Sequence, residues 1–257
     1  MEVFLNPDAW IALLTLTFLE IVLGIDNIIF ISIATSKLPV EQRKKATKIG
    51  MFLAMFMRIG LLFGINILIQ MKNAWLTIDW GWFKAGITGQ SIILFLGGLF
   101  LIYKSTNEIR EKVDEKGHEE KELGKAATKS FQSVIFQIIM IDLVFSFDSI
   151  LTAVGMTNGV AGAIYIMITA VIVSVIIMMQ FAVPVGNFVN NHPSIQILGL
   201  TFLILIGFML LTESAHLSNA AIFGSHVTPV PKGYLYFAIS FSLFVELLNM
   251  KTKKKIK

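Results

Sequence analysis

The chain of 257 residues is strongly apolar, with 55% hydrophobic and only 15% charged residues. Soluble domains carry about 25% charged residues, so this composition excludes an ordinary soluble domain and favours a membrane protein. The formal net charge of +4 indicates no nucleic-acid partner, because the basic residues lie beside the ends of apolar runs, where membrane topology accounts for them.

Seven apolar segments are each long enough to cross a bilayer as a helix, which requires roughly 20 residues. In chain order they cover about residues 9–34, 49–70, 88–105, 131–157, 160–189, 195–212 and 233–250. The runs are continuous rather than alternating, which favours helices over a transmembrane barrel. The sequence therefore predicts an all-α polytopic membrane protein with about seven transmembrane helices.

The loops between these segments predict the orientation of the chain. Lys and Arg are concentrated in the first loop, in the third loop and in the tail after the seventh segment, whereas the second loop contains only Lys72 and Lys84. Because basic loops stay on the cytoplasmic side, we expect the N-terminus outside and the C-terminus in the cytoplasm. Trp75, Trp80 and Trp82 in the second loop are then expected at the outer interface.

A ten-residue motif occurs in both the first and the fourth predicted helix. Residues 19–28 read LEIVLGIDNI and residues 141–150 read IDLVFSFDSI, so two acids six positions apart align without a gap. A three-helix unit repeated in tandem enters the membrane the second time from the opposite side. The motif therefore predicts two inverted three-helix repeats plus one helix, with chance similarity as the alternative. The expected boundaries are 1–108 for the first repeat, 109–130 for a charged cytoplasmic linker, 131–215 for the second repeat, and 216–257 for an outer loop, the seventh helix and a basic tail.

Four carboxylates lie within these two helices: Glu20, Asp26, Asp142 and Asp148. A charge at this depth costs about 2.5–3.5 kcal/mol on insertion scales, so we expect these side chains to face the protein interior. Arg58 is the only basic residue well inside a predicted span, and one arginine does not neutralise four carboxylates. The remaining partners are a metal cation or protons. Acids that only hold the helices together, such as a structural Glu20–Arg58 ion pair, are the alternative.

The spacing of the acids bears on how they could converge. Glu20 and Asp26 are six residues apart, which rotates a regular helix by a net angle of about 240°, so they are expected on different faces. Glu20 and Asn27, seven apart, share a face. An unwound turn at Gly24 and Ser146 would let both acids of each motif converge, as in the broken helices of transporters, and a straight helix is the alternative.

The available ligand types narrow the range of ions that the protein could transport. The predicted metal ligands are oxygen donors: Glu20, Asp26, Asn27, Asp142, Asp148 and Ser149. The chain has no cysteine, and its four histidines lie in loops or at helix ends, at His118, His192, His216 and His226. Oxygen sites suit Mn, Ca and Mg rather than zinc or copper. The twelve scattered methionines are interpreted as packing residues. We find no nucleophile–base pair within the spans, so we expect neither an enzyme nor a prosthetic group.

The two motifs resemble the signature of the TerC family of integral membrane proteins. The resemblance is carried by residues 19–31, LEIVLGIDNIIFI, and 142–150, DLVFSFDSI, and it extends over essentially the whole chain. TerC-like proteins are named for tellurium resistance, several are associated with manganese efflux, and the family is grouped with LysE-type exporters. The resemblance implies that Asp26 and Asp148 with their neighbours bind a divalent cation, and that the cargo is Mn(II).

We therefore expect a transporter of a bacterial inner membrane that exports a divalent cation, Mn(II) before Ca(II) or Mg(II). Intramembrane acids also suit exchange with protons. Arg58 is expected to gate the site by pairing with the acids when no cation is bound. The alternative is a membrane scaffold or assembly partner in metal or tellurium stress, with structural acids. The expected partners are the metal ion and the lipid bilayer, and the oligomeric state stays open.

Overall fold

The computed structural model describes residues 5–117, 130–157, 160 and 162–255. Seven helices in this part of the chain are long and apolar enough to cross a membrane, which confirms the prediction of an all-α polytopic membrane protein. The elements are α1 (Pro7–Ser36), α2 (Val40–Phe63), α3 (Ile65–Gln70), β1 (Ala74–Asp79), β2 (Phe83–Thr88), α4 (Gly89–Gly117), α5 (Phe131–Met156), α6 (Ala163–Asn190), α7 (Pro193–Leu217), β3 (Ala221–Ile222), β4 (Ser225–His226) and α8 (Lys232–Lys255).

The starts of α1 and α5 follow local capping rules. The side chain of Asn6 accepts a hydrogen bond from the backbone N–H of Asp8 at 3.0 Å, and Pro7 takes the first position of α1. Ser130 accepts in the same way from the backbone N–H of Ser133 at 3.2 Å and so begins α5. These side chains satisfy N–H groups that have no partner within the helix, so α1 and α5 begin directly after polar residues.

The second predicted segment, 49–70, differs from the structure at both ends. Helix α2 begins earlier, at Val40, because the charged residues that follow are good helix formers, although they are too polar for an apolar run. The segment is then divided at Gly64, between the end of α2 and the start of α3. Glycine has a low helix propensity, which fits this position.

The charged linker predicted at 109–130 begins as helix. Helix α4 extends to Gly117, beyond the predicted end of the third span at residue 105. The charged side chains of this last part are compatible with a helix that continues beyond the hydrocarbon region. The rest of the predicted linker, residues 118–129 with His118, lies outside the described part of the chain.

The two motif helices are continuous, which agrees with the straight-helix alternative and excludes the hypothesised unwound turn. Helix α1 passes through Gly24 and helix α5 passes through Ser146 without interruption. Both small residues have another use. A Cβ atom at Gly24 would overlap the side chain of Met178 from α6, so glycine makes room for a neighbouring helix. The hydroxyl of Ser146 donates to Asp142 one turn earlier in the same helix.

The chain divides into two compact units, and each unit takes helices from both halves of the sequence. The first consists of Met1–Asn66 and Lys125–Asn191 and contains α1, α2, α5 and α6. Within it, α1 packs against α5 and α6, and α2 packs against the same two helices. The second consists of Ile67–Gly124 and His192–Lys257. The repeat boundaries at 1–108 and 131–215 cut across these units and stay a prediction.

In the second unit, α4 and α7 cross at two glycines. A Cβ atom at Gly98 would lie 2.7 Å from the carbonyl oxygen of Gly207, and one at Gly207 would lie 2.9 Å from the carbonyl oxygen of Gly98. The hydroxyl of Ser214 on α7 also donates to the carbonyl of Ser91 on α4 at 2.6 Å. Small residues allow such close approach, which is common between helices in membranes.

A four-stranded antiparallel sheet in the second unit was not predicted from the sequence. Its strands follow the order β1-β2-β3-β4, and two of them have only two residues, which is too short for a recognisable pattern. Trp80 and Trp82 in the β1–β2 turn are exposed, and their place at the outer interface stays a prediction. The ammonium group of Lys84, 2.8 Å from the carboxylate of Asp79, holds the pKa of Asp79 below its usual value.

Candidate functional site

Three charged side chains from three helices meet inside the first compact unit. The guanidinium of Arg58 on α2 lies 2.5 Å from the carboxylate of Glu20 on α1 and 2.7 Å from that of Asp142 on α5. All three side chains are buried, with 4–6% of each residue exposed. The predicted Glu20–Arg58 pair is therefore present, and Arg58 joins the first acids of the two motifs.

The carboxylate of Asp142 is fully occupied by hydrogen-bond donors. One oxygen accepts from Nη2 of Arg58 at 2.7 Å and from the side-chain amide of Asn27 at 3.4 Å. The other accepts from Nε of Arg58 at 3.3 Å and from the hydroxyl of Ser146 at 3.0 Å. A carboxylate has about four lone-pair positions, so a cation reaches Asp142 only if a donor leaves.

Six oxygen ligands were predicted, and the structure brings three of them together: Glu20, Asn27 and Asp142 meet around Arg58. Asp148 is half-buried one and a half turns further along α5, and its backbone carbonyl accepts from the hydroxyl of Thr152. The hydroxyl of Ser149 donates to a carbonyl of its own helix at 3.3 Å.

The second acid of the first motif is only partly described. The backbone of Asp26 belongs to α1, whereas its side chain lies outside the described part of the structure. Among the side chains that the structure does describe, no group of three or more His, Asp or Glu residues could hold a metal ion. The predicted ligand set therefore stays a prediction.

The described histidines belong to the second compact unit. His192 precedes α7, His216 lies in its last turn, and His226 lies in β4. None of the three is part of the hydrogen-bonded network around Arg58 described above.

Met178 was missed from the sequence as a neighbour of the motif. It lies on α6, is 5% exposed, and fills the space beside Gly24 that a side chain would occupy. Gly24 lies four residues after Glu20 and three before Asn27 in a continuous helix, so all three share a face. The spacing of Gly24 within the motif indicates a close contact, but the sequence does not indicate which distant residue provides it.

The second unit contains a buried carboxylate that was not predicted as buried. Glu108 on α4 is 1% exposed, and its carboxylate lies 2.9 Å from the ammonium of Lys104 one turn earlier. One turn later, the ammonium of Lys112 donates to the side-chain carbonyl of Gln196 on α7. The positive charge of Lys104 compensates the carboxylate of Glu108 within the same helix, so we interpret this pair as structural.

Comparison with known proteins gives one consistent result. The family model described as "Integral membrane protein TerC family" matches residues 5–257. The UPF0053 inner membrane protein YgdQ of Escherichia coli K12 is 45% identical over 250 residues, which cover 97% of this chain and 96% of that protein. A UPF0053 protein of Haemophilus influenzae is 41% identical over 252 residues, which cover 98% of each chain.

A longer relative matches this chain over part of its own length. The UPF0053 inner membrane protein YoaE of Escherichia coli K12 is 39% identical over 254 residues, which cover 99% of this chain and 45% of that protein. No solved structure matches the chain. The family model covers nearly all of the chain, including the helices whose acids meet at Arg58. The chain therefore belongs to the TerC family of integral membrane proteins.

Proposed function

We propose that this protein exports a divalent metal cation, Mn(II), across a bacterial inner membrane in exchange for protons. The observation that supports this most is that the first acids of the two motifs, Glu20 and Asp142, meet on one buried cation, Arg58. Acids buried in membrane helices are characteristic of ion and proton pathways. The interior between α1 and α5 therefore has the negative charge that a cation carrier requires.

The charges of these side chains indicate how the charge of the transported cation is compensated. With Glu20 and Asp142 ionised, Arg58 leaves this group with one negative charge. The second acids, Asp26 and Asp148, add two negative charges when ionised. One divalent cation or two protons neutralise that pair, so an exchange of one cation for two protons keeps the charge of the site constant.

Arg58 would act as a gate in this scheme. It supplies two of the four donors to Asp142 and the short contact to Glu20. A cation that binds near these acids repels the guanidinium and releases carboxylate oxygens as ligands. When the cation leaves, Arg58 returns, so that no carboxylate stays buried without a positive partner.

Localisation and orientation belong to the same proposal. Relatives from Escherichia coli are named inner membrane proteins. The basic loops support an orientation with the start of α1 outside and the end of α8 in the cytoplasm. In this orientation the sheet faces outward, and export proceeds toward the side of β1 and β2.

Mn(II) flux in proteoliposomes of the purified protein tests the proposal. We expect flux from the wild type with an opposing pH change, and loss of both in the Asp26→Asn, Asp148→Asn double variant. Ca(II) and Mg(II) serve as competitors. Glu246→Gln is the matched control, because Glu246 is an acid in the spanning part of α8 whose carboxylate accepts from Asn249. This control is expected to retain flux.

The second candidate is a membrane scaffold in which the acids are structural. It is favoured by the carboxylate of Asp142, whose two oxygens accept four hydrogen bonds from protein donors, as in a complete structural network. A folded wild type without flux would overturn the transport proposal. A double variant with undiminished flux would overturn the assignment of Asp26 and Asp148 to the transport site. The scaffold hypothesis predicts instead that the double variant is less stable, or that less of its complex with a partner is recovered, without any change in metal binding.

A further inference from the structure

One buried sulfur atom lies against the face of α1 that carries the charged network. Met178 on α6 is 5% exposed, and its thioether sulfur occupies the position that a Cβ atom at Gly24 would need. Its terminal methyl carbon would lie 3.1 Å from the same Cβ. The thioether therefore lies against the backbone of α1 at Gly24, between Glu20 and Asn27 along the helix.

The helical spacing places this sulfur beside the polar groups of the site. Glu20, Gly24 and Asn27 occupy positions i, i+4 and i+7 of a continuous helix, which share one face. Glu20 bonds to Arg58, and Asn27 bonds to Asp142, so this face carries the network. Met178 contacts that face at its middle residue.

The chemistry of a thioether differs from that of every other donor in the network. Carboxylate, amide and hydroxyl oxygens are hard donors, which bind Ca(II) and Mg(II) as readily as Mn(II). A thioether sulfur is a soft, polarisable acceptor that interacts with transition metals and offers little to alkaline-earth ions. Leucine fills a similar volume without a sulfur atom, so replacing methionine by leucine removes the donor and keeps most of the packing.

We infer that Met178 determines the specificity of the site, because its sulfur favours transition-metal ions over Ca(II) and Mg(II). The inference rests on the proposed cation transport and names the class of its cargo, the divalent transition metals, which includes Mn(II). It also revises the interpretation of the methionines as packing residues, for this one position. The sulfur lies on the face of α1 that carries Glu20 and Asn27, where a cation would bind after Arg58 withdraws.

The test compares Met178→Leu with the wild type by equilibrium binding of Cd(II), Mn(II) and Ca(II) to the purified protein in detergent. Cd(II) is the sensitive probe because it is the softest of the three. We expect the affinity for Cd(II) to fall about tenfold, the size of effect typical of groups that tune a metal site, while the affinity for Ca(II) is unchanged. Competition by Ca(II) against Mn(II) flux should strengthen accordingly.

Met167→Leu is the matched control, because Met167 is another buried methionine on the same helix. We expect it to leave the ratio of Cd(II) to Ca(II) affinity unchanged. Met178→Cys is a second variant in a chain without other cysteines, and it should retain or increase the affinity for Cd(II) because it keeps a sulfur donor.

The outcomes separate this inference from the proposed function. A wild type that carries Mn(II), combined with an unchanged Cd(II) to Ca(II) ratio in Met178→Leu, overturns the specificity role alone. An equal loss of Cd(II) affinity in Met167→Leu overturns the specificity role as well, because the effect would then come from packing. A folded wild type that neither binds nor carries these ions overturns both.

Discussion

At the scale of single residues, Asp142 and Arg58 depend on each other for charge compensation. Arg58 is held by two carboxylates from different helices, and both of its partners are buried. A planar guanidinium suits this geometry because it donates through separate nitrogens in fixed directions. Removal of one member of such a group leaves the others charged and without compensation, which costs far more than the intact group contributes.

Arg58→Met is therefore expected to lower the free energy of unfolding by about 3–5 kcal/mol, the usual cost of breaking a buried ion pair. The check is unfolding in a titration of denaturing detergent, followed by circular dichroism. A triple variant that adds Glu20→Gln and Asp142→Asn should recover most of this loss, because it removes the uncompensated charges. Arg58→Met with wild-type stability would contradict the structural importance of the network.

The contact between α4 and α7 is determined by shape at the scale of secondary-structure elements. Their backbones approach at Gly98 and Gly207, where each glycine faces a carbonyl oxygen of the other helix. Lipid chains are as apolar as the side chains, so close packing and hydrogen bonds have to hold such helices together. The hydrogen bond from Ser214 to the carbonyl of Ser91 adds to the same contact.

Gly98→Ala is expected to destabilise the second compact unit by about 1–3 kcal/mol, because the added methyl group forces the two backbones apart. Gly60→Ala is the control, since a Cβ atom at Gly60 in α2 meets nothing within 4 Å. The control should be neutral or more stable by up to about 1 kcal/mol, because alanine favours helix. Detergent-induced unfolding of both variants gives the comparison, and equal effects would refute the role of the crossing.

Orientation is a property of the whole molecule, and the lack of cysteine makes it simple to measure. We expect Thr77→Cys in β1 to react with an impermeant maleimide in intact cells. Glu41→Cys at the start of α2 should react only after the cells are permeabilised. Both positions are exposed, so access differs only by the side of the membrane. The reverse pattern would overturn the orientation and the proposed direction of export.

The number of spanning helices and the Glu20–Arg58 pair could be predicted, because apolar length and isolated charges are local signals. Arg58 was expected to pair with the acids, but the choice of Asp142 as its second partner could not be predicted, since it depends on how α2 packs against α1 and α5. The contact of Met178 with Gly24 could not be predicted either, because it also depends on how distant helices pack. The hypothesis of an unwound turn rested on Gly24 and Ser146, which in the structure provide a close helix contact and a hydroxyl donor.

The composition of the first compact unit has a consequence for how the protein is made. Its helices come from Met1–Asn66 and Lys125–Asn191, so its interior is incomplete until the ribosome has passed α6. Asp142 is synthesised 84 residues after Arg58, which at 5–20 residues per second is a delay of roughly 4–17 s. During that interval the nascent chain has Arg58 and Glu20 but lacks the second carboxylate. The insertion machinery must keep Arg58 and Glu20 away from lipid until the fourth spanning helix, α5, has been synthesised.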